Sequence, residues 1–184
     1  MKNKALRTLY IFNGIFVFGG GLLGPLYAIF VNTIDNNILA ISISWFAFLI
    51  SSTLFMLIIR TYGDMVKEKE YFLLGGFLIR AIVWFIFPFT STLLMLVILQ
   101  ILLGLGEALG TPAFDAIFAE HLDKDKHIKD YTDWKLISSL VGAFAVLAGG
   151  FIVKFQGFNL LFFTMGTLAL ISFFGVLLKP RKLL

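Results

Sequence analysis

The chain lacks cysteine altogether and contains few charged residues. Its 184 residues include no Cys, and Asp, Glu, Lys and Arg together make up only 14% of the sequence. The absence of Cys excludes disulfides and thiolate metal sites. A soluble domain carries about 25% charged residues, so this deficit excludes an ordinary globular core surrounded by water.

Apolar residues dominate the sequence instead. They account for 59% of the chain, Phe occurs 22 times and the mean hydropathy is +0.95. Residues 8–34 form a run without a charge that is longer than the apolar region of a signal peptide, about 7–15 residues, and long enough to cross a bilayer. The pattern predicts an all-α membrane protein, in one domain over 1–184, with spans at about 6–31, 38–60, 71–88, 92–119, 136–154 and 158–178.

The distribution of Lys and Arg predicts how this bundle is oriented. Thirteen of the 15 Lys and Arg residues lie at the N-terminus, at the C-terminus or in the hydrophilic segments 60–70 and 120–135. Only Lys154 lies on the opposite side, and Arg80 lies inside a span. Because positive loops stay in the cytoplasm, we expect a multi-pass plasma membrane protein with both termini and both hydrophilic segments cytoplasmic. The net charge of +4 therefore reports topology, and we expect no nucleic acid partner.

The first and fourth spans align without gaps at an offset of 87 residues. Pro25 matches Pro112, Gly19 matches Gly106 and the polar Asn13 matches Gln100. Since each begins a group of three spans, the two groups must enter the membrane from opposite sides. This predicts two inverted three-helix repeats, about 6–88 and 92–178, as in secondary transporters. Chance similarity between Gly-rich spans is the alternative.

Three charged residues lie within apolar spans, namely Arg80, Glu107 and Asp115. A charge at the bilayer centre costs about 2.5–3.5 kcal/mol, so such residues face protein or water and are functional candidates. At about 1.5 Å per residue, Arg80 and Glu107 lie at a similar depth near the midplane. They could form a structural ion pair between the third and fourth spans, or they could bind a solute or a proton.

Polar and small residues share one face of the fourth span. At about 100° per residue, Gln100, Thr111, Gly104 and Asp115 lie within about 80° of Glu107. Asn13 lies on one face of the first span with Gly20 and Gly24. Gln100, Thr111 and Asn13 therefore join Arg80, Glu107 and Asp115 as candidates for a solute or proton pathway. Glycines at this spacing more often indicate close helix packing.

Three segments resemble the N-terminal half of a major facilitator superfamily transporter. They are QILLGLGEALGTPAFDAIFAEHLD (100–123), YGDMVKEKE (62–70) and SSLVGAFAVLAGGFIVKFQGFNLLFF (138–163). The resemblance implies that the fourth span lines a central cavity. It also implies a cytoplasmic gating latch in which Asp64 and Glu120 act with Lys67 or Lys69. Glu120 could equally be a solvated helix end.

The sequence departs from that family at several positions. Arg60 replaces a Gly, Met65 and Glu68 replace basic residues, Lys67 replaces a Gly, and Gln100 replaces an Arg found in many members. Members also have twelve spans, whereas this sequence has six. A six-span chain would have to act as a homodimer or pair with a second six-helix half.

The sequence favours secondary active transport of a small solute, with Glu107 or Asp115 as the protonatable group. The alternative is a non-transporting membrane protein that acts as a partner or regulator. His121 and His127 lie together in one hydrophilic segment, so no His, Cys or Ser constellation lies at membrane depth. We therefore expect no enzymatic activity, no catalytic residues, no cofactor and no metal site. The expected partners are the lipid bilayer, the solute and another six-helix chain.

Overall fold

The helices follow the predicted spans closely. The computed structural model describes residues 4–63, 66, 68–122 and 127–179. Within these residues the helices are α1 (Lys4–Gly21), α2 (Leu26–Ile34), α3 (Ile38–Tyr62), α4 (Glu70–Ile86), α5 (Leu93–Glu120) and α6 (His127–Leu177), with a 3₁₀ turn at Phe87–Phe89 after α4. We call the end that carries the start of α1 and the 60–70 segment the basic end.

Six membrane crossings can be assigned in the described part of the chain. Helices α3, α4 and α5 are each long and apolar enough to span a bilayer, and α1 with α2 forms a further span bent by 49°. At about 1.5 Å per residue, the 51 residues of α6 would exceed twice the thickness of a bilayer core of about 30 Å. Helix α6 is interrupted at Gly157, where φ is 82° and ψ is 178°. The predicted six-span helical bundle is therefore confirmed.

Contacts with the first span show that α6 reverses direction at Gly157. Near the start of its first arm (127–156), the carbonyl of Asp130 accepts a hydrogen bond from the Tyr10 hydroxyl at 3.1 Å. Near the start of its second arm (158–177), Phe158 packs on Phe30 with ring centroids 5.3 Å apart. The first arm therefore runs parallel to α1, and the second arm runs back along the same span.

The first span, predicted as one helix, is interrupted in the structure. Proline lacks the N–H that would continue the helix, and at Pro25 this coincides with a φ of +26° at Gly24, a value that suits glycine. The aligned Pro112 lies inside the unbroken helix α5. The residue before it is Thr111, which remains helical. A proline thus bends one repeat sharply and not the other, because only one is preceded by glycine.

The helix contacts match the two predicted inverted repeats. Helix α1 packs on both arms of α6, while α5 packs on α3 and α4, so each repeat's first span contacts the other repeat's second and third spans. A Cβ built at Gly106 would lie 2.9 Å from Arg80 Cγ, and one at Gly19 would lie 3.3 Å from Leu168 Cβ. Gly106 and Gly19 are aligned positions of the two repeats at the offset of 87. Their contact residues also nearly correspond, because Leu168 aligns with position 81, one residue after Arg80.

The fifth span begins earlier than hydropathy predicted. Its helix starts at His127, so residues 127–135 of the predicted connector 120–135 are helical. Trp134 packs on Tyr10 and Phe114, with centroids 5.3 and 5.1 Å away, and Tyr131 packs on Phe118. Hydropathy locates the part of a helix that lies in lipid. It does not locate a helix end that extends beyond the lipid and is held there by aromatic contacts.

Candidate functional site

An ion pair at mid-depth joins α4 to α5. Arg80 lies ten residues into α4, or about 15 Å from the basic end, and its Nη2 donates to Glu107 Oε2. The other carboxylate oxygen, Oε1, accepts from the Thr111 hydroxyl at 2.6 Å. The Arg80 side chain is 8% exposed and that of Glu107 is 32% exposed. The buried Arg80 charge therefore depends on Glu107 more strongly than Glu107 depends on Arg80.

Aromatic packing and close backbone contact support the same ion pair. The Arg80 guanidinium carbon lies 4.9 Å from the centre of the Phe16 ring, a distance suited to cation–π attraction. A Cβ added to Gly76 would lie 2.6 Å from Gly110 Cα, so the two backbones touch at this point. Small residues allow such an approach between membrane helices. Glycine packing was predicted for the first span, so the contact between Gly76 and Gly110 was not foreseen from the sequence.

A cavity of about 250 Å³ lies on the side of the ion pair away from the basic end. We call it the aromatic cavity. Its aromatic lining comes from α1, α2, α3, α4 and the 3₁₀ turn: Phe16, Tyr27, Trp45, Phe48, Trp84 and Phe87. At its far end the Tyr27 hydroxyl donates to Ser44 Oγ at 2.6 Å, and the buried Gln100 lies beside the same hydroxyl.

A second cavity, of about 300 Å³, lies on the basic side of the same ion pair. We call it the polar cavity. It is lined by Asn13, Thr111, Asp115 and Ser138 among others, and Arg80 and Glu107 line both cavities. A wider opening, lined by Asp115, Trp134 and Lys135, continues toward the basic end. Arg80 and Glu107 therefore lie at the boundary between the two cavities.

The structure brings all six pathway candidates to these cavities. Gln100 lines the aromatic cavity, Asn13, Thr111 and Asp115 line the polar cavity, and Arg80 with Glu107 lies between them. Asp115 is exposed and receives no hydrogen bond or ion pair from the described residues. Gly104, also on the predicted polar face, instead packs tightly on the backbone of α3 at Phe48 and Ser52.

Two of the four candidates for the gating latch are in contact. Lys69, at the start of α4, donates to Glu120 at the end of α5, and both side chains are substantially exposed. Asp64 and Lys67, the other two candidates, lie outside the described residues. Across residues 4–63, 66, 68–122 and 127–179 there is no group of three or more His, Cys, Asp or Glu side chains that could hold a metal ion.

Sequence reasoning missed the aromatic side of the site. Tyr27, Trp45, Phe48 and Trp84 line the aromatic cavity, yet none was singled out. Lipid and protein interior are equally apolar, so an aromatic residue within an apolar span carries no periodic signal of which one it faces. The only available signal was weak, namely the alignment of Tyr27 with Phe114 at the repeat offset.

A six-span bundle of two inverted repeats, with a charged pair and cavities at mid-depth, has the architecture of a membrane transporter. The family model described as the Major Facilitator Superfamily matches residues 9–183, and the chain therefore belongs to this superfamily. One relative is the "Uncharacterized MFS-type transporter YitZ" of Bacillus subtilis (strain 168). It is 25% identical to the chain over 158 residues, which cover 84% of this chain and 94% of that relative.

Proposed function

We propose that the protein is a secondary active transporter that moves a small solute by alternating access without changing it chemically. The observation that carries this proposal is the arrangement of two cavities on either side of the Arg80–Glu107 pair. A path blocked at mid-depth by a reversible ion pair can be opened to one side at a time.

We propose Asp115 as the protonatable group that couples transport to a proton gradient. Glu107 already has Arg80 and Thr111 as partners. Asp115 lacks a hydrogen-bonding partner among the described residues and lies where the polar cavity meets the opening toward the basic end. A carboxylate in this position can exchange a proton with water, and its charge lies near the Glu107 carboxylate.

We further propose that two copies form the complete transporter. Thr111 and Asp115 are exposed on the face that carries the site, and polar groups at that depth are unfavourable against lipid. A second copy, related by a two-fold axis along the membrane normal, would enclose this face around a water-filled path. Two-fold dimers are the commonest closed oligomers.

The Lys69–Glu120 pair is proposed as a latch between α4 and α5 at the basic end. Exposed ion pairs contribute little to stability, so the fold does not require this one. The Glu120→Gln change should leave the unfolding temperature almost unchanged while it alters the rate of solute movement. Equal transport by Glu120→Gln and the unmodified protein would leave the pair as a solvated helix end.

Proton-coupled flux in proteoliposomes tests the main proposal. A trapped pH indicator would report internal acidification as each member of a panel of neutral, cationic and anionic solutes is added. We expect at least one solute to produce a protein-dependent proton flux, which Asp115→Asn should abolish. The matched control is Asp133→Asn, an exposed aspartate near the basic end, which should retain the flux. Full flux in Asp115→Asn would contradict the assignment of the coupling group.

A further inference from the structure

The chemistry of the aromatic cavity points to a particular class of solute. Resting on the proposed transport function, we propose that this cavity binds neutral, largely apolar, two-ring aromatic compounds that carry one hydroxyl or carbonyl group. The proposal combines three properties of the cavity: the shape and exposure of its aromatic walls, its volume, and the balance of charge in its lining.

One aromatic ring of the lining is left substantially uncovered by the protein. Trp45 is 48% exposed, and its ring lies 5.5 Å from Tyr27 and 5.3 Å from Phe48. Across the cavity, Phe16 and Trp84 are stacked with centroids 5.6 Å apart. Aromatic rings attract one another in offset-stacked and edge-to-face arrangements. Phe16 and Trp84 are only 8% and 5% exposed, so a flat aromatic solute would stack mainly on Trp45.

The volume sets the approximate size of the solute. An enclosed apolar cavity of about 150 Å³ holds one benzene molecule. The aromatic cavity is partly open and holds about 250 Å³, which is enough for two fused rings. Sites for drug-sized ligands run from about 300 to 1,000 Å³, so a larger solute would need volume from a second copy.

The balance of charge sets the solute's own charge. Arg80 and Glu107 line the aromatic cavity but neutralise each other, and no other Asp, Glu, Lys or Arg from the described residues lines it. An ionic solute would therefore bring an uncompensated charge to the middle of the bilayer, which is unfavourable. Tyr27 and Gln100 line one end of the cavity, and a hydrogen-bonding group on the solute would compete there with the Tyr27–Ser44 hydrogen bond.

The polar cavity has different chemistry, which separates the roles of the two spaces. Asn13, Thr111, Asp115 and Ser138 line it, and Asp115 adds a charge that the ion pair does not neutralise. Water and protons suit that lining, whereas an apolar ring does not. The solute and the proton would thus be bound on opposite sides of Arg80 and Glu107, and movement of this pair would link the two.

Three naphthalene compounds that share the ring system and differ in the charge of their one polar substituent test the inference. They are 2-naphthol, which is neutral at neutral pH, the anion 2-naphthoate and the cation 2-naphthylmethylammonium. Equilibrium binding of each radiolabelled compound to proteoliposomes would be measured, with uptake by protein-free liposomes of the same lipid subtracted. We expect 2-naphthol to bind at least about tenfold more tightly than either ion. Equal or tighter binding of an ion, or no binding of 2-naphthol, would overturn the proposal.

A pair of glycine substitutions locates the binding. A Cβ at Gly20 would lie 3.7 Å from Trp84 Cη2, an ordinary contact, so the longer side chain of Gly20→Leu should fill the aromatic cavity and abolish 2-naphthol binding. Gly150→Leu adds the same side chain where a Cβ would meet nothing within 4 Å and should bind normally. If Gly20→Leu fails to fold, Trp45→Ala provides the second test, because loss of a stacking face should weaken binding. Normal binding of 2-naphthol by folded Gly20→Leu, or by folded Trp45→Ala, would overturn the proposal.

Failure of this inference and failure of the transport proposal can be told apart. Binding of 2-naphthol without proton-coupled flux of any solute would keep the assignment of the cavity and contradict transport. Coupled flux of one of the two ions, without binding of 2-naphthol, would keep transport and contradict the assignment of the solute.

Discussion

At the scale of single residues, the two members of the midplane ion pair differ in how well other groups support them. Arg80 is almost fully buried, whereas Glu107 is about one-third exposed and also receives the Thr111 hydroxyl. Removing one partner of a buried pair costs about 3–5 kcal/mol, mainly because the other charge is left uncompensated. The two single substitutions should therefore have unequal effects.

We expect Glu107→Gln to reduce stability by about 3 kcal/mol or more, because it leaves Arg80 charged and buried. Arg80→Met, which keeps an apolar stem, should cost less. The double variant should regain part of the lost stability, since no lone charge remains. Unfolding in detergent and the yield of folded protein would measure all three. If Glu107→Gln folds normally but loses all transport, the pair is functional and does not hold the bundle together.

At the scale of helices, the packing of α4 on α5 requires glycine at position 76 but tolerates a larger residue at the neighbouring position 75. A Cβ at Gly76 would lie 2.6 Å from Gly110 Cα and 2.9 Å from Gly106 O, which are backbone atoms. A Cβ at Gly75 would lie 3.7 Å from a Leu109 side-chain carbon. Backbone atoms cannot move away without separating the helices, whereas an ordinary side-chain contact requires no movement.

Gly76→Ala should therefore destabilise the protein by about 1–3 kcal/mol, in the range of other overpacked sites. Gly75→Ala is the matched control, and it should be neutral or stabilise α4 by up to about 1 kcal/mol, since Ala favours helix over Gly. Thermal unfolding of the two purified variants would compare them directly. Equal stability of both would mean that α4 and α5 do not pack closely at Gly76 and Gly110.

At the scale of the whole molecule, the predicted orientation depends on the distribution of Lys and Arg. Single cysteines at Asn36, in the connection before α3, and at Asn159, at the start of the second arm of α6, are both exposed away from the basic end and should react with an impermeant thiol reagent added outside intact cells. A cysteine at His127, exposed at the start of α6, should not react. The absence of native Cys makes each label specific. Labelling at 127 from outside would reverse the orientation that the positive-inside rule predicts.

The two-copy assembly makes a separate prediction about the face that carries the site. A cysteine at Thr111, exposed beside the polar cavity, should crosslink to its counterpart in membranes that contain only this protein. A cysteine at Ile82, which is 51% exposed on α4 and lines none of the described cavities, is the control and should not. Strictly monomeric protein at every position tested on α1 and α5, with normal folding, would favour a separate six-helix partner.

Solvent accessibility at Thr111 would also separate transport from a regulatory role. Transport needs this face to be reachable by water, whereas a regulatory role needs it to be occluded.

The sequence by itself determined the number and approximate bounds of the spans and the common depth of Arg80 and Glu107. It also identified the polar face of the fourth span. These are local properties, because each crossing needs about 20 apolar residues and each charge within a span is conspicuous. Pro25 and Pro112 show a limit of prediction from local sequence. The two align, yet only the first accompanies a break in its span.

Only the tertiary structure decided which helices meet and what lies between them. The packing of Gly76 on Gly110, the helical start of the fifth span at His127 and the aromatic cavity all depend on contacts between distant segments. In a soluble protein, apolar periodicity would have predicted the buried face of each helix. Here lipid and core are both apolar, so the spans carry no such signal, and the partners of each face are set by how the helices fit together.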